Sequence, residues 1–286
     1  MREKRTLLAV FAHPDDESFG PGGTLARYAA EGVDVHLICA TNGEAGVMDE
    51  EFVAGHCDPA EQRVAELRCA VKELGLSGLH LLGYRDSGMA GSPDNEHPDC
   101  LAQADVHDVA GQITGYIREL CPQVVITFDP MGGYLHPDHV ATHRATVTAF
   151  RAASDRAAYT EQLAQGLTTH APQKLYYTSL PRRALRWLVR LMRLLGRDPT
   201  SFGRNGDINL VEIAAIDSPL TARIDVTDYL ATKDAATACH RSQGGSDRRL
   251  PRWLVRRIMS TEGFTRAYPK VKPGEPIERD LFAGVA

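Results

Sequence analysis

Short apolar runs alternate along the first half of the chain with longer stretches in which apolar residues return every three or four positions. TLLAVFA (6–12), VDVHLICAT (33–41), LHLLG (79–83) and VVITFD (124–129) are nearly continuous and read as strands covered on both faces. GTLARYAAEG, PAEQRVAELRCAVKELGL and ADVHDVAGQITGYIREL lie between them with helical spacing. The first closes at Gly32. The second opens with Asp58 as N-cap and Pro59 in the first turn, and stops at Gly75; the third ends before Cys121 and Pro122. This alternation predicts an α/β fold of Rossmann-like, doubly wound type, a mostly parallel sheet with helices on both faces. Ligands of such sheets bind beyond the C-terminal ends of the strands, near the point where strand order reverses.

The pattern loosens after about residue 150. KLYYTSL (174–180) and ARIDVT (222–227) read as strands, and PRRALRWLVRLMRLLGR (181–197), DYLATKDAATACHRSQ (228–243) and LPRWLVRRIMS (250–260) as helices. The expectation is a single domain over residues 1–286, with a catalytic core in 1–150 and a C-terminal elaboration in 151–286 that forms a wall of the pocket. Long loops near 86–104 and 196–209, rich in Gly, Pro, Asp and Asn, are candidate functional rims. There is no internal repeat and no low-complexity tract.

With 286 residues, 43% of them hydrophobic, the chain can bury a substantial core. A formal net charge of -5 argues against a general nucleic-acid binder. No apolar run approaches the roughly 20 residues of a membrane span. The basic start (Arg2, Lys4, Arg5) is followed by a stretch too short for a signal peptide, so a cytoplasmic location is expected. The six cysteines form no CxxC pair, and the reading is of reduced thiols, with Cys39 and Cys69 buried. The basic helix 181–197 sets Leu185, Leu188, Met192 and Leu195 along one face, widened by Trp187, Leu191 and Leu194. Burial in the core or in a subunit contact is the commoner fate of such a helix. A peripheral membrane contact is the alternative, a pocket wall overhanging the site is a third, and a homo-oligomer stays open.

The candidate chemistry sits where two strands end. AVFAHPDDES (9–18) stops its apolar run at His13, Pro14, Asp15, Asp16 and Glu17, and GGYLHPDHVATH (132–143) follows VVITFD with His136, Asp138, His139 and His143. Both clusters fall on the functional edge of the predicted sheet. Imidazole and carboxylate groups together suit zinc with one position left for water. Of two adjacent aspartates, one can bind metal while the other stays free as a general base, and a nearby histidine can protonate a leaving amine. Pro14 and Pro137 stiffen the two loops. Aspartates before a helix also make good caps, and the second cluster tips the balance to metal. His139 and His143 are four apart, as in HExxH sites, but that set lacks the Glu and would strand Asp16. GPGGT (20–24) matches no phosphate-loop pattern and reads as helix packing. Glu17 reads as a first-turn acid and His240 as a packed or capping residue.

HPDDE near the start and HPDH about a hundred residues later resemble the PIG-L/LmbE-like zinc N-acetylglucosaminyl deacetylases, a family that includes the deacetylases and amidases of mycothiol and bacillithiol metabolism. The resemblance spans at least residues 6–150. It implies His13, Asp16 and His139 as metal ligands and Asp15 as general base. It implies His136 as general acid or oxyanion stabiliser, oriented or tuned by Asp138, and Tyr134 as an aid to the tetrahedral intermediate. QRVAEL makes Arg63 a substrate-contact candidate, YRDSGMAG (84–91) makes Asp86 a sugar-hydroxyl ligand, and TNGEAG (41–46) puts Glu44 at the rim. KDAATACHRSQ resembles a recurring segment of these enzymes.

The expected protein is therefore a zinc-dependent hydrolase that removes the acetyl group from an N-acetylglucosamine-containing small-molecule conjugate. Ferrous iron suits the same two-His, one-carboxylate set. A phosphoesterase would need a second metal roughly 3.5–4 Å away, and an amidase of a thiol-sugar conjugate is a closer variant. A non-catalytic sugar-binding protein with a structural metal would have no use for a free Asp15.

Overall fold

Seven strands form one sheet in the computed structural model, which describes residues 4–46, 48, 58–179, 182–202, 208–215, 219–244 and 259–286. Strand β1 (Thr6–Phe11) lies between β2 (Asp34–Thr41) and β4 (Val124–Thr127) and runs parallel to both. β3 (Gly78–Tyr84) extends the sheet parallel to β2, and β5 (Lys174–Ser179) extends it parallel to β4. The far edge is antiparallel: β7 (Thr261–Tyr268) pairs with β5, and β6 (Ala222–Asp225) pairs with β7. The spatial order is β3-β2-β1-β4-β5-β7-β6. The chain steps outward from β1 to β2 and β3, then returns to β4 on the other side, so the order reverses between β1 and β4. The expected α/β, mostly parallel architecture is the one observed.

The near-continuous apolar strands follow from two cores. Leu7, Ala9, Phe11, Val35, Leu37 and Ile126 pack with Leu25 and Tyr28 of α2 (Gly22–Ala30) and Leu67 of α3 (Pro59–Leu74). The alternate residues Leu8, Val10, Ile38 and Val125 pack on the opposite face with Ile113 and Ile117 of α4 (Val106–Leu120) and Ala145 and Ala149 of α6 (Pro137–Ala152). Both sides of the pleat are thus buried, each large side chain contributing about 1.5–3 kcal/mol of transfer free energy. The boundaries of α3 follow its caps. Asp58 accepts from the N–H of Ala60 at 3.0 Å, and Gly75 adopts φ 71°, a left-handed conformation a glycine takes without a Cβ clash.

The second half joins the same sheet through β5, β6 and β7. β7 has no counterpart among the expected strands: Phe264 is its one fully buried side chain, and its other positions are largely polar. Of the helix expected over 250–260, residues 250–258 lie outside the described residues. The helix expected over 228–243 is α10 (Leu230–Cys239), flanked by single tight turns at 227–229 and 241–243. In the basic helix α8 (Arg182–Leu194), Leu185, Val189 and Met192 pack on Leu210, Ile213 and Ala214 of α9 (Leu210–Ala215). Trp187, Leu191 and Leu194 are exposed. Among the described residues no helix is long and apolar enough to cross a membrane.

One cysteine expectation is corrected. Cys69 is neither buried nor a thiol: it is exposed and disulfide-bonded to Cys239, tying α3 to the end of α10. The two helices pack side by side and bring the Cα atoms to 5.8 Å, within disulfide range. Cys39 and Cys100 are buried thiols, Cys121 is exposed, and Cys57 lies outside the described residues.

Candidate metal centre and active site

The first cluster begins one residue past β1. The Ala12 carbonyl is pinned by the N–H and hydroxyl of Thr41 on β2, at 2.8 and 2.9 Å, and the chain then turns away from the sheet. His13 and Asp16 close the turn, with the His13 N–H donating to Asp16 Oδ2 at 2.7 Å. Asp16 opens the short helix α1 (Asp16–Phe19).

The second cluster follows β4. Asp129 Oδ1 accepts from the N–H groups of Met131 and Gly133, at 3.0 and 2.9 Å, and shapes the loop into a single turn, α5 (Gly132–Leu135). Gly132 has φ 61°, and a Cβ there would lie 2.8 Å from the Cβ of His139, so only glycine lets the loop pass. His136 caps α6 by accepting from the Asp138 N–H at 3.2 Å, with Pro137 in the first turn. His139 then points back toward β1, its ring stacked on Phe128 at 3.9 Å.

Three ligand atoms converge between the clusters. His13 Nδ1 and His139 Nε2 lie 3.1 Å apart. The Asp16 carboxylate presents Oδ1 at 3.3 Å to His139 Nε2 and Oδ2 at 3.5 Å to His13 Nδ1. The opposite ring nitrogens are already committed as donors: His13 Nε2–H to Asp138 Oδ2 at 3.1 Å, and His139 Nδ1–H to the Gly132 carbonyl at 3.1 Å. Each imidazole therefore turns a lone pair inward, where two lone pairs and a carboxylate would repel one another without a cation. Four bonds of about 2.0–2.1 Å in a tetrahedron put ligand atoms about 3.3–3.4 Å apart, and the three observed separations bracket that edge. The residues present fit a metal ion, with acceptors behind both imidazoles fixing their tautomers.

Among the described residues two other groupings are close enough to hold a cation, His13–His136–His139 and His13–Asp86–Asp138. The first would draw on Nε2 of His136, since its Nδ1 is occupied as a cap, and would pass over the Asp16 carboxylate that faces both His13 Nδ1 and His139 Nε2; the second uses the Nε2 face of His13, which already donates to Asp138. The Asp16 set leaves these hydrogen bonds intact. His143 takes no part: its Nδ1–H donates to the Phe128 carbonyl at 2.9 Å.

Asp15, Arg63, Asp86, Tyr134 and His136 line a cleft of ≈ 420 Å³ that reaches His13. The buried Arg63 donates to Asp15 Oδ2 at 3.0 Å, to the Pro14 carbonyl at 2.8 Å and to the Gly43 carbonyl at 2.5 Å, with Asp86 at 3.8 Å. Its guanidinium is thus occupied in holding the loop that carries Asp15. Asp86 accepts from the Gly88 N–H at 2.8 Å and lies 3.5 Å from His13 Nε2. Burial pushes the Asp15 carboxyl up to about 6, against the pull of Arg63. Burial opposes ionisation of Asp16 as well, but His139 and His13 hold it well below the carboxylate range. Burial, with His13 and His139 beside it, holds His136 well below the ordinary imidazole value.

Two expected placements differ. Glu44 does not line this cleft. Its carboxylate accepts from the Asp86 N–H at 3.3 Å and faces a neighbouring depression beside Arg85 and His97, because the turn at 43–46 presents Ala45 and Gly46 to the cleft instead. Asp138 does not orient His136 with its side chain. The carboxylate bonds His13 and the N–H and hydroxyl of Ser87, and only the Asp138 backbone meets His136.

Four residues were missed. Ser87 and Asp129 act by holding other site residues, and Ile208 and Gln243 enter the cleft from the second half. Ser87 lies within the YRDSGMAG stretch and Gln243 within KDAATACHRSQ, so the motif signal was present without a role.

The family model described as PIG-L, GlcNAc-PI de-N-acetylase, matches residues 8–150. A protein of Catenulispora acidiphila named 1D-myo-inositol 2-acetamido-2-deoxy-alpha-D-glucopyranoside deacetylase 2 is 38% identical, over 99% of this chain and 98% of its own length. Among solved structures, the N,N'-diacetylchitobiose deacetylase of Pyrococcus horikoshii superposes with a TM-score of 0.65 at 21% identity, over 96% of this chain and 88% of that one. The 4-carboxy-2-hydroxymuconate hydratase GalB of Pseudomonas putida superposes at 0.60 with 18% identity, over 95% and 99%. These two likenesses show the shared fold, and the different reactions in their names leave chemistry to the site.

Proposed function

The chain belongs to the PIG-L family of GlcNAc-PI de-N-acetylases, and from that membership we propose that it is a metal-dependent deacetylase of an N-acetylglucosamine-containing small molecule. An inositol-linked N-acetylglucosaminide is the preferred substrate class, on the name of the 38%-identical relative. The observation that carries this reading is the convergence of His13, Asp16 and His139 with Asp15 and His136 beside one cleft.

His13 Nδ1, His139 Nε2 and one Asp16 oxygen would hold the ion. Zinc is proposed, and ferrous iron suits the same donors. Bound there, the metal would lower the pKa of a coordinated water to about 7 and draw charge from the amide carbonyl. Asp15 takes a proton from the attacking water as the new C–O bond forms. His136, with Nδ1 accepting from Asp138 N–H, keeps its proton on Nε2 and donates to the developing oxyanion. Tyr134, next to His136 and His139 in the cleft wall, is a second donor. Asp15 then returns the proton to the nitrogen as the C–N bond breaks, giving acetate and a free amine. Arg63 aims Asp15, and Asp86 accepts from a sugar hydroxyl. Glu44, behind Asp86, supports that residue.

We propose one functional unit over residues 1–286, with Ile208 and Gln243 of the second half closing the cleft. A cytoplasmic site is proposed with it, where a reducing pool would tend to open a surface disulfide such as Cys69–Cys239. The test is acetate release across N-acetylglucosaminides with inositol, sugar and simple alkyl aglycones. Release from the inositol-linked compound ahead of the others is the expected result. No release from any of them by metal-loaded protein would end the reading.

A further inference from the structure

Asp15 has φ 140°, in the left-handed region a residue with a Cβ rarely adopts. Something must impose that conformation. The Asp15 N–H donates to Glu17 Oε2 at 3.1 Å. The other Glu17 oxygen is bonded by the Ser18 hydroxyl at 2.5 Å and by His240 Nε2 at 2.7 Å. Glu17 and His240 are both fully buried, 223 residues apart in sequence. A buried carboxyl group is tolerated where hydrogen bonds fix it, and His240 and Ser18 supply them. Residues beyond His240 secure the arrangement: the N–H and hydroxyl of Ser242 donate to Glu66 at 2.9 and 2.7 Å. Glu66 stands one helical turn from Arg63 on α3, and Arg63 holds the Asp15 carboxylate. The disulfide between Cys69 and Cys239 joins the same two helices.

Asp15 is thus gripped at both ends, its carboxylate by Arg63 and its peptide N–H by Glu17. Both grips lead back to the segment 239–242. The catalytic geometry needs neither Glu17 nor His240 to touch substrate or metal, and a first-turn acid stabilising a helix end would need no partner from residue 240.

We propose that Glu17 and His240 are a positioning pair that holds the peptide of Asp15 in its left-handed conformation and thereby aims its carboxylate into the cleft. The catalytic consequence rests on the deacetylase reading; the conformational one does not.

The test uses the metal-loaded full chain with His240→Ala and His240→Gln. Misaiming a catalytic group by about 1 Å costs on the order of 100-fold in turnover. His240→Ala is expected to lose about that much kcat with KM and metal per chain unchanged, and His240→Gln, which can still donate to Glu17, to recover part of it. Crystal structures of the same variants give a readout free of activity. In His240→Ala the Asp15 φ should leave the left-handed region and its contact with Arg63 should lengthen. If His240→Ala does not fold, Glu17→Gln, which keeps the size of the side chain, takes its place in both measurements. Unchanged Asp15 geometry in the variants overturns the proposal, and so does a loss of metal or a rise in KM that accounts for the lost activity. Relaxed Asp15 geometry in a protein that deacetylates nothing supports the pair and removes only its catalytic consequence.

Discussion

Asp138 accepts the Nε2 proton of His13 at 3.1 Å, and this bond decides which nitrogen of His13 faces Asp16 and His139. The same carboxylate is anchored by the backbone and hydroxyl of Ser87. A ligand's partner behind the first ring of contacts is worth about 10–100-fold in metal affinity. Asp138→Asn should therefore weaken zinc binding by about that factor with the fold intact, measured by competition against a chelator of known affinity. Unaltered affinity would show that the Asp138–His13 bond does not set the ligand.

Arg63 meets Asp15, the Pro14 carbonyl and the Gly43 carbonyl with a single planar group. A lysine ammonium has one charged centre and cannot span these three acceptors. Arg63→Lys is expected to lower kcat about 10–100-fold, by the geometric argument that applies to any loosened catalytic group, while metal per chain stays the same. Steady-state kinetics beside elemental analysis separate the two. A variant with normal kcat would mean that Asp15 is aimed without Arg63.

The disulfide between Cys69 and Cys239 closes a loop with a sequence separation of 170 residues. Disulfides typically add about 2–4 kcal/mol, and chain entropy alone puts a loop of that span at about 5 kcal/mol. Unfolding in urea with and without reductant, repeated on the Cys69→Ser/Cys239→Ser double variant, should show the reduced and mutant midpoints falling together below the oxidised one. Coincidence of all three would show that the bridge contributes nothing.

The ordinary imidazole value is about 6.5. Burial works to lower that of His240, but the hydrogen bond and charge of Glu17, with Asp15 and Glu66 nearby, raise it. A histidine with a raised folded-state pKa stabilises fully below its unfolded value of about 6.5, and the contribution fades as pH climbs through the folded value. The gap in Tm between the natural chain and His240→Gln should be widest below about pH 6.5 and narrow above it. A gap that widens with rising pH would assign the ring a neutral role.

The central part of the sheet was legible because β1 and β4 are buried on both faces, so Leu7 to Ala12 and Val124 to Ile126 appear as unbroken apolar runs. β7 was not, because only Phe264 of its residues is fully buried and most of the others are polar. The residues proposed as metal ligands, and Asp15, stood out as dense His and Asp clusters at strand ends, and the fold brings them together. Their long-range partners left little local trace. Cys69 with Cys239, and Glu17 with His240, are pairings made by helix packing across most of the chain, and no spacing rule reaches that far. Asp138 was assigned to His136, two residues before it, whereas in the fold its carboxylate bonds a histidine 125 residues away. Glu44 was placed at the rim with the TNGEAG stretch, whereas the turn at 43–46 decided which side chains enter the cleft.

In the proposed reaction Asp15, and not a metal ligand, moves the proton. General acid–base groups contribute about 100- to 10,000-fold. Asp15→Asn keeps the shape of the side chain and leaves His13, Asp16 and His139 in place. Metal per chain and acetate release should be measured on the same preparation. Full metal content with kcat reduced at least ~100-fold is expected; full metal content with near-normal acetate release would show that Asp15 is not the base.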